Sequence, residues 1–508
     1  MAKTHSLGID QGTSGSRALV IDHDGAIRGY AYRPVARLYP QPDRVEQDPI
    51  AVADGVAAVI ADALDMAGCG PDEIASVGIA SQRNTDFAWD AHTGRPLANA
   101  ITWQDLRTLP LLDELKSWPH ATEARYRLGY APGPYMTAMH LAWRMRYDEV
   151  IQAASKDGSL RLGLSAAWLI NTLGRPSAHC MDSSLVQAMG LYDFRAGDYW
   201  AGWLDWLGVP RAALPAAVPT IHDFGTMRLS DHRGRTAEVP VQAMIGDQQG
   251  ALFGQGCRLP GAAECTQGTA TFVKVFTGNT APRQEIIDVF YAWDTGHGQT
   301  YCLEAPTTVI GAAIRWMQEL RLFDEYSELD HLASSVSDSG GVMFVPAFTG
   351  LNAPYNDPRA RGSLLGMTLG TGRSHIVRAF LDSLGYQIRA ILDTIAQDTG
   401  TRVDELLVDG GVTASDVACQ IQADLTGLPV VRPTFAETTA YAAATLAGLG
   451  SGLWPNEASL PPTPGERTVF DPCTNQDQRD AGYARWQEAV RLVRDWGASP
   501  RQSSGHTF

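Results

Sequence analysis

Three apolar stretches of this chain end on the same kind of turn. "HSLGID" runs into "QGTSGS" and a second apolar stretch, "RALVID". Much later, "GAAECTQGTATFVKVFTG" places Gly268, Thr269, Ala270 and Thr271 between two extended runs. "LLVDGGVTAS" closes a third run on Asp409, Gly410 and Gly411. Short apolar runs bounded by such turns read as buried strands. A turn built of glycine, threonine and serine leaves its backbone N–H groups unshielded. A chain that does this along its length must build sheets whose strand ends open onto a site. The echoes read as a weak internal duplication, two α/β lobes that each present one Gly/Thr turn.

The intervening pattern fits that reading. "HDGA" is a hairpin turn signal between extended runs. Residues 49–67 carry apolar residues at helical spacing, and "IASVGIA" is a buried strand that ends on "SQRNTDFAWD". From about 108 to 240 the pattern is mostly helical and Trp-rich, with "WAGWLDWLGV" read as core. "VPVQAMIGDQQGALFGQG" is a strand ending at Gly-Asp-Gln-Gln, followed by a helix. The expected division lies near residue 252, giving lobes over 1–252 and 253–500, with a frayed tail at 501–508. At roughly 100–200 residues per domain, the 508 residues suggest two large domains or three smaller ones.

Charge and cysteine usage exclude several classes. A net charge of −16 makes nucleic acid and anionic membranes poor partners. The seven cysteines are scattered and form no CxxC, which argues against a disulfide framework or a zinc site and fits a reducing cytoplasm. "MAKTHSLGID" enters a strand at once, leaving no room for a signal peptide, and no apolar run is long enough to span a bilayer. The expected protein is cytoplasmic.

The turns suit phosphate oxygens. Asp10 precedes the first and Arg17 follows it, an arrangement that makes sense if a divalent cation lies between acid and phosphate. Taken alone, that turn is equally a tight hairpin capped by Asp10. It is neither a Walker A motif nor a Rossmann fingerprint.

The three turns together, with "LGIDQGTSGSRALVID", "SQRNTDFAWDAHTGRPLANAITWQDLRT", "IGDQQGALFGQG", "FVPAFTGLNAPYNDPRARGSLLGMTLGTGRSHIVRA" and "LLVDGGVTAS", resemble the FGGY carbohydrate kinases over nearly the whole chain, and glycerol kinases among them. The resemblance implies an α/β fold of two actin-like, ribonuclease H-like lobes around a central nucleotide cleft, ATP and Mg²⁺ as cofactors, and a small polyol or sugar as acceptor. It implies a homodimer or homotetramer. Asp247 is implied as general base, taking the hydroxyl proton during in-line transfer. Asp10 is implied as a magnesium residue together with Asp247. Thr13, Ser14, Arg17, Gly268, Thr269, Gly311 and Gly411 are implied on the nucleotide, with Arg315 and Ser415 standing where the family usually has Gln and Asn. Arg83, Trp103, Tyr135, Asp247, Gln248 and Phe272 are implied around the acceptor.

Asn84 departs from the family, which normally has Glu there, and His140 stands where a Lys is usual. A carboxylate only accepts hydrogen bonds, whereas an amide donates and accepts and here is one methylene shorter. Two acceptor readings stay open: glycerol, bound through Asn84 and a bridging water, or a four-carbon polyol or short ketose. An actin- or Hsp70-like ATP-driven binding protein has no use for "SQRN", "ITWQD" and "GDQQ". A retired sensor has no use for Asp10, Asp247 and Thr269 together.

Overall fold

The computed structural model describes residues 3–268, 271–283, 286–307 and 310–498. Thr269 and the expected frayed tail lie outside the described residues.

The first half of the chain builds a seven-stranded sheet. Its strands are β1 (His5–Gln11), β2 (Gly15–Asp22), β3 (Ile27–Pro34), β4 (Ile74–Ser81), β5 (Gly174–Pro176), β6 (Gly225–Ser230) and β7 (Thr236–Gly246), in the order β3-β2-β1-β4-β7-β6-β5. The β2–β3 turn holds Gly25 at φ 79°, the left-handed backbone that the Asp-Gly signal predicts. Helix α1 (Pro49–Ala67) matches the spacing of its apolar residues, and Asp48 caps it by accepting from Ile50 N. Helix α2 (Thr137–Tyr147) lies in the mixed segment that follows, and α3 (Asp247–Gly254) begins directly at the end of β7. The Trp-rich stretch is core, as read: Trp203 is buried and stacks on Trp206 at 5.0 Å. The expectation of a mostly helical segment up to 240 fails at its end, since β6 and β7 occupy 225–246. There Leu229, Val239, Val241 and Ala243 point inward at alternating positions, a period of two rather than of a helix.

The second half builds another seven-stranded sheet from β8 (Ala263–Gln267), β9 (Thr271–Gly278), β10 (Asp288–Tyr291), β11 (Tyr301–Pro306), β12 (Leu406–Asp409), β13 (Val430–Pro433) and β14 (Arg467–Phe470), in the order β10-β11-β9-β8-β12-β13-β14. The duplication expected from the turns is visible in the pairing. In the first sheet β3, β2 and β1 pair antiparallel, and β4 and β7 then continue parallel. In the second, β11, β9 and β8 pair antiparallel, and β12 and β13 continue parallel. Each Gly/Thr turn joins the first and second strands of its repeat. A division at residue 252 falls inside α3; the chain crosses between the sheets over 255–262.

Five helices of this half matter to the site: α4 (Ile310–Glu319), α5 (Glu328–Ser334), α6 (Arg373–Thr399), α7 (Asp416–Thr426) and α8 (Thr438–Gly450). Helix α8 lies on the first sheet, not the second. Its approach requires glycine beneath it. A Cβ on Gly8 of β1 would fall 2.0 Å from the Ala440 carbonyl oxygen, and one on Gly78 of β4 1.9 Å from that of Ala443. The halves are thus joined backbone to backbone beside the strand ends that carry the candidate site.

Candidate active site

The first turn, Gly12 to Ser14, is pinned from three sides. Gly12 N donates to Gly15 O at 3.0 Å, and a Cβ on Gly15 would meet the Tyr32 ring at 2.2 Å. Thr13 Oγ1 donates to Gln82 at 2.9 Å and accepts from Trp103 Nε1 at 2.8 Å. The buried Gln82 amide reaches Gln47 at 2.9 Å and Gln11 at 3.2 Å, so one side chain ties the turn to its surroundings. Trp103 itself is 42% exposed and spends its N–H on Thr13, so its ring is available as a wall. Ser14 is exposed at the tip, with its carbonyl bonded to Val35 N.

Asp10 and Arg17 sit opposite each other across β1 and β2 and pair at 3.3 Å. Arg17 also holds Glu437, just before α8, at 3.0 Å, and Tyr30 donates to the same carboxylate at 2.8 Å. Burial pushes the Asp10 carboxyl up to about 7; Arg17 opposes this, while Asp247 and Glu437 add to it. A carboxyl moved that far by its surroundings and by a second carboxylate marks a site that lacks positive charge.

Arg83 follows β4 and reaches across to the second sheet. Its Nη2 donates to Glu304 of β11 at 2.7 Å, its Nε lies 3.7 Å from Asp247, and its guanidinium lies over Phe290, 4.9 Å from the ring centre. Arg83 Nη1, Glu304 Oε2 and Gln248 Oε1 are buried with no hydrogen-bond partner among the described residues. Asp247 opens α3, accepts from Gln248 N at 2.7 Å, and has its carboxyl raised, chiefly by burial and against the pull of Arg83. Tyr135 is 36% exposed and donates to Ala131 O at 3.2 Å; the charges of Asp288, Arg125, Glu304 and Arg83 all bear on its phenol. Phe272 is half-buried on β9 and shares a sheet face with Lys274, two residues on.

Asn84 has a local role that the sequence alone did not reveal. Its backbone is left-handed at φ 56°, a conformation that asparagine tolerates better than most residues. Its Oδ1 accepts from Thr137 N at 3.3 Å, satisfying an otherwise orphaned N–H at the start of α2. His140 is structural: it is buried, its Nε2 lies 3.1 Å from Pro134 O, and burial lowers its pKa to about 4.

The remaining nucleotide-side residues are less drawn together. Gly268 ends the described part of the second turn and Gly311 is half-buried near the start of α4. Arg315 is exposed on α4. A Cβ on Gly411 would meet open space, whereas one on Gly410, at φ 96°, would strike Gln267 O at 2.4 Å. The pair therefore turns the chain sharply and leaves a bare backbone surface. Ser415 caps α7, accepting from Ala418 N at 2.9 Å and donating to Asp330 of α5, so its hydroxyl is already committed.

Sequence reading missed Glu304, Glu437 and Lys274. Lys274 is buried in the middle of "TFVKVF" and pairs with buried Glu264; Glu304 sits in "YCLEAP". A charge at the centre of an apolar strand is almost never left unpaired, and that was the available signal. Among the described residues, three candidate metal ligands converge only at Asp22, His23 and Asp24, where Asp22 already holds Arg28 and two turn N–H groups. All seven cysteines are unpaired, and among the described residues no helix is long and apolar enough to cross a membrane.

Comparison with known proteins places this arrangement. Residues 5–254 match the N-terminal domain of the FGGY family of carbohydrate kinases and residues 263–451 its C-terminal domain. The chain is 39% identical over 507 residues to a glycerol kinase of Halorhodospira halophila, covering 99% of each chain. It is 37% identical to glycerol kinase 2 of Sulfolobus acidocaldarius, covering 98% of this chain and 99% of that one. The crystal structure of Plasmodium falciparum glycerol kinase with ADP superposes with a TM-score of 0.90 at 27% identity, over 97% of this chain and 98% of that one. A xylulose kinase from Brucella ovis shares the fold at a TM-score of 0.84 and 24% identity, over 97% and 99% of the two chains. Both family domains match in order along two actin-like lobes, and the chain belongs to the FGGY family of carbohydrate kinases, ATP-dependent phosphotransferases with an alcohol acceptor.

Proposed function

We propose that the chain phosphorylates a hydroxyl of a small polyol, with glycerol as the reference acceptor, and that Asp247 is the general base. The observation that carries this reading is the group of Arg83, Asp247, Gln248 and Glu304 beside Asp10 and Arg17. Three of its polar atoms are buried and unsatisfied, and such atoms are costly unless a ligand meets them. A polyol offers donors and acceptors in a row, with Trp103 and Phe272 available for its carbon edge.

Asp10 and Asp247 fit a divalent cation: both donors are carboxylate oxygens, both carboxyls are raised, and Asp10 has only Arg17 against two neighbouring acids. When bound, Mg²⁺ would spread the charge that develops on the transferring phosphoryl group. The turn at Gly12–Ser14, with Arg17, would hold phosphate oxygens by backbone N–H groups and a fixed cation. Gly268 and Thr269 would do so from the second lobe, and Gly311 and Gly411 would lie against the nucleoside. The acceptor oxygen forms its bond to the γ-phosphorus as the bond to ADP breaks, and its proton passes to Asp247. The raised Asp247 carboxyl makes it a better proton acceptor than an ordinary carboxylate. Arg83 orients the acceptor, and closure of the cleft over both substrates would exclude water that could otherwise take the phosphoryl group.

The test is ADP release over a panel of C3 to C6 polyols and ketoses with Mg·ATP, for wild type and Asp247→Ala. Polyol-dependent release by wild type, lost by at least roughly a hundredfold in the variant while ATP binding persists, is the expected result. Retained transfer by Asp247→Ala removes Asp247 from the mechanism.

A further inference from the structure

The residue facing Arg83 across the site is Glu304, and its surroundings give it more to do than hold an arginine. Asp288, Glu304, Lys274 and Glu264 are lateral neighbours on the adjacent strands β10, β11, β9 and β8, so their side chains form one row on one sheet face. The row carries three carboxylates and one ammonium. Lys274 bonds Glu264, and Arg125 takes Asp288 at the outer end at 2.6 Å. Glu304 is therefore left to Arg83, which arrives from the other lobe.

That pairing is incomplete. A guanidinium and a carboxylate readily form two parallel hydrogen bonds. Here Arg83 Nη2 bonds Glu304 Oε1 at 2.7 Å, while Arg83 Nη1 and Glu304 Oε2 stay buried and unpartnered among the described residues. The Glu304 side chain is 6% exposed, so water does not relieve it. One N–H donor and one acceptor oxygen of the same ion pair are thus held back. A hydroxyl satisfies both at once, since it accepts from the first and donates to the second. Gln248 Oε1, also buried and free, can receive a second hydroxyl.

We propose that Glu304 is an acceptor-binding residue: its free Oε2 receives the hydrogen bond of the acceptor hydroxyl to which Arg83 Nη1 donates. The inference rests on the small-polyol reading above. It adds a polar contact from the second lobe, beside the Phe272 ring, to a pocket whose other polar residues come from the first. The acceptor thus touches both lobes and draws them together when it binds, before any nucleotide chemistry.

The test compares wild type, Glu304→Gln and Asp288→Asn. Each is measured by steady-state kinetics over the polyol panel and by acceptor-induced shift of the melting temperature without ATP. Glu304→Gln keeps shape and size but replaces one carboxylate oxygen by an N–H₂ donor, which cannot accept. It should raise acceptor KM by roughly 10- to 100-fold, the worth of a hydrogen bond to a charged group. ATP KM should stay within about 3-fold, and the acceptor-induced melting shift should vanish. Asp288→Asn removes the same charge one strand further out and should leave acceptor KM within about 3-fold. Equal effects of the two variants would mean that net charge, not contact, is at work and would overturn the proposal, as would an unchanged acceptor KM in Glu304→Gln. A wild type that binds and turns over no polyol would sink the polyol reading, and this inference with it. Turnover by wild type with no change in Glu304→Gln sinks the inference alone.

Discussion

Gly78→Ala tests whether the joint between the lobes has any slack. A Cβ at this position would lie 1.9 Å from the Ala443 carbonyl oxygen and 2.5 Å from its carbon, where ordinary contact begins at 3.4 Å. Helix α8 must therefore back away from the first sheet by about 1.5 Å, since both β4 and α8 are backbone at the clash and neither can rotate aside. The retreat opens a gap along the buried face of α8, where Ala440, Ala443, Ala444 and Ala447 have no solvent exposure. Overpacking of this kind costs ~1–3 kcal/mol or more, which lowers the melting temperature by about 2–4 °C per kcal/mol in a unit the size of one lobe. The same movement carries Glu437, one residue before α8, beyond hydrogen-bonding reach of Arg17 and Tyr30, which it now holds at 3.0 and 2.8 Å. The variant should melt at least about 2 °C lower and show a raised ATP KM. The assays are calorimetric unfolding and initial rates against ATP concentration. An unchanged melting temperature with unchanged ATP KM would refute the reasoning, because it would mean the sheet and helix can part freely.

Two further perturbations address the buried charges. Asp10→Asn should stabilise the ligand-free protein increasingly as pH rises. The wild-type carboxyl titrates near 7 when folded against an ordinary value of 3.8, so the folded state binds the extra proton between those values. The wild type therefore loses stability as pH climbs from about 4 to 7, while Asn does not. The gap, read from melting curves, is absent below pH 4 and reaches at most ~4 kcal/mol above pH 7. A gap independent of pH would show that Asp10 is not titrating in this range. Lys274→Met leaves the buried Glu264 without its cation, while Glu304 keeps Arg83, and should cost ~3–5 kcal/mol in denaturant unfolding. Adding Glu264→Leu should recover part of that loss; no recovery would locate the cost elsewhere.

The duplication was legible because glycine and threonine at strand ends are local signals. The turn after β1, the strand before Arg83 and the strand that ends at Gly246 all stand where the pattern of apolar residues puts them. The stretch from 225 to about 238 was misread because the helical reading was carried past Leu207, although Pro210, Pro215, Pro219 and Gly225 break the pattern by the start of β6. Ser415 and Asn84 have a second, local role that spacing did not show. Each was read as a contact to a ligand, and each has a side-chain oxygen bonded to a helix N-terminus. Whether a polar side chain caps a helix or faces a pocket depends on where the next helix starts in space, which spacing does not encode.

By itself the sequence determined the strand-end turns, their two-lobe echo and the Asp10–Arg17 bracket, which follow from order along the chain, while Arg83 and Asp247 were singled out through the resemblance to the FGGY kinases. Only the tertiary structure decided that Arg83 meets Glu304, 221 residues away, that Arg17 meets Glu437, and that α8 crosses onto the other lobe's sheet over Gly8 and Gly78. Those meetings depend on distances between strands that are far apart in sequence. A buried charge in the middle of a strand announces that a partner exists, but only the packing of two sheets says which side chain it is.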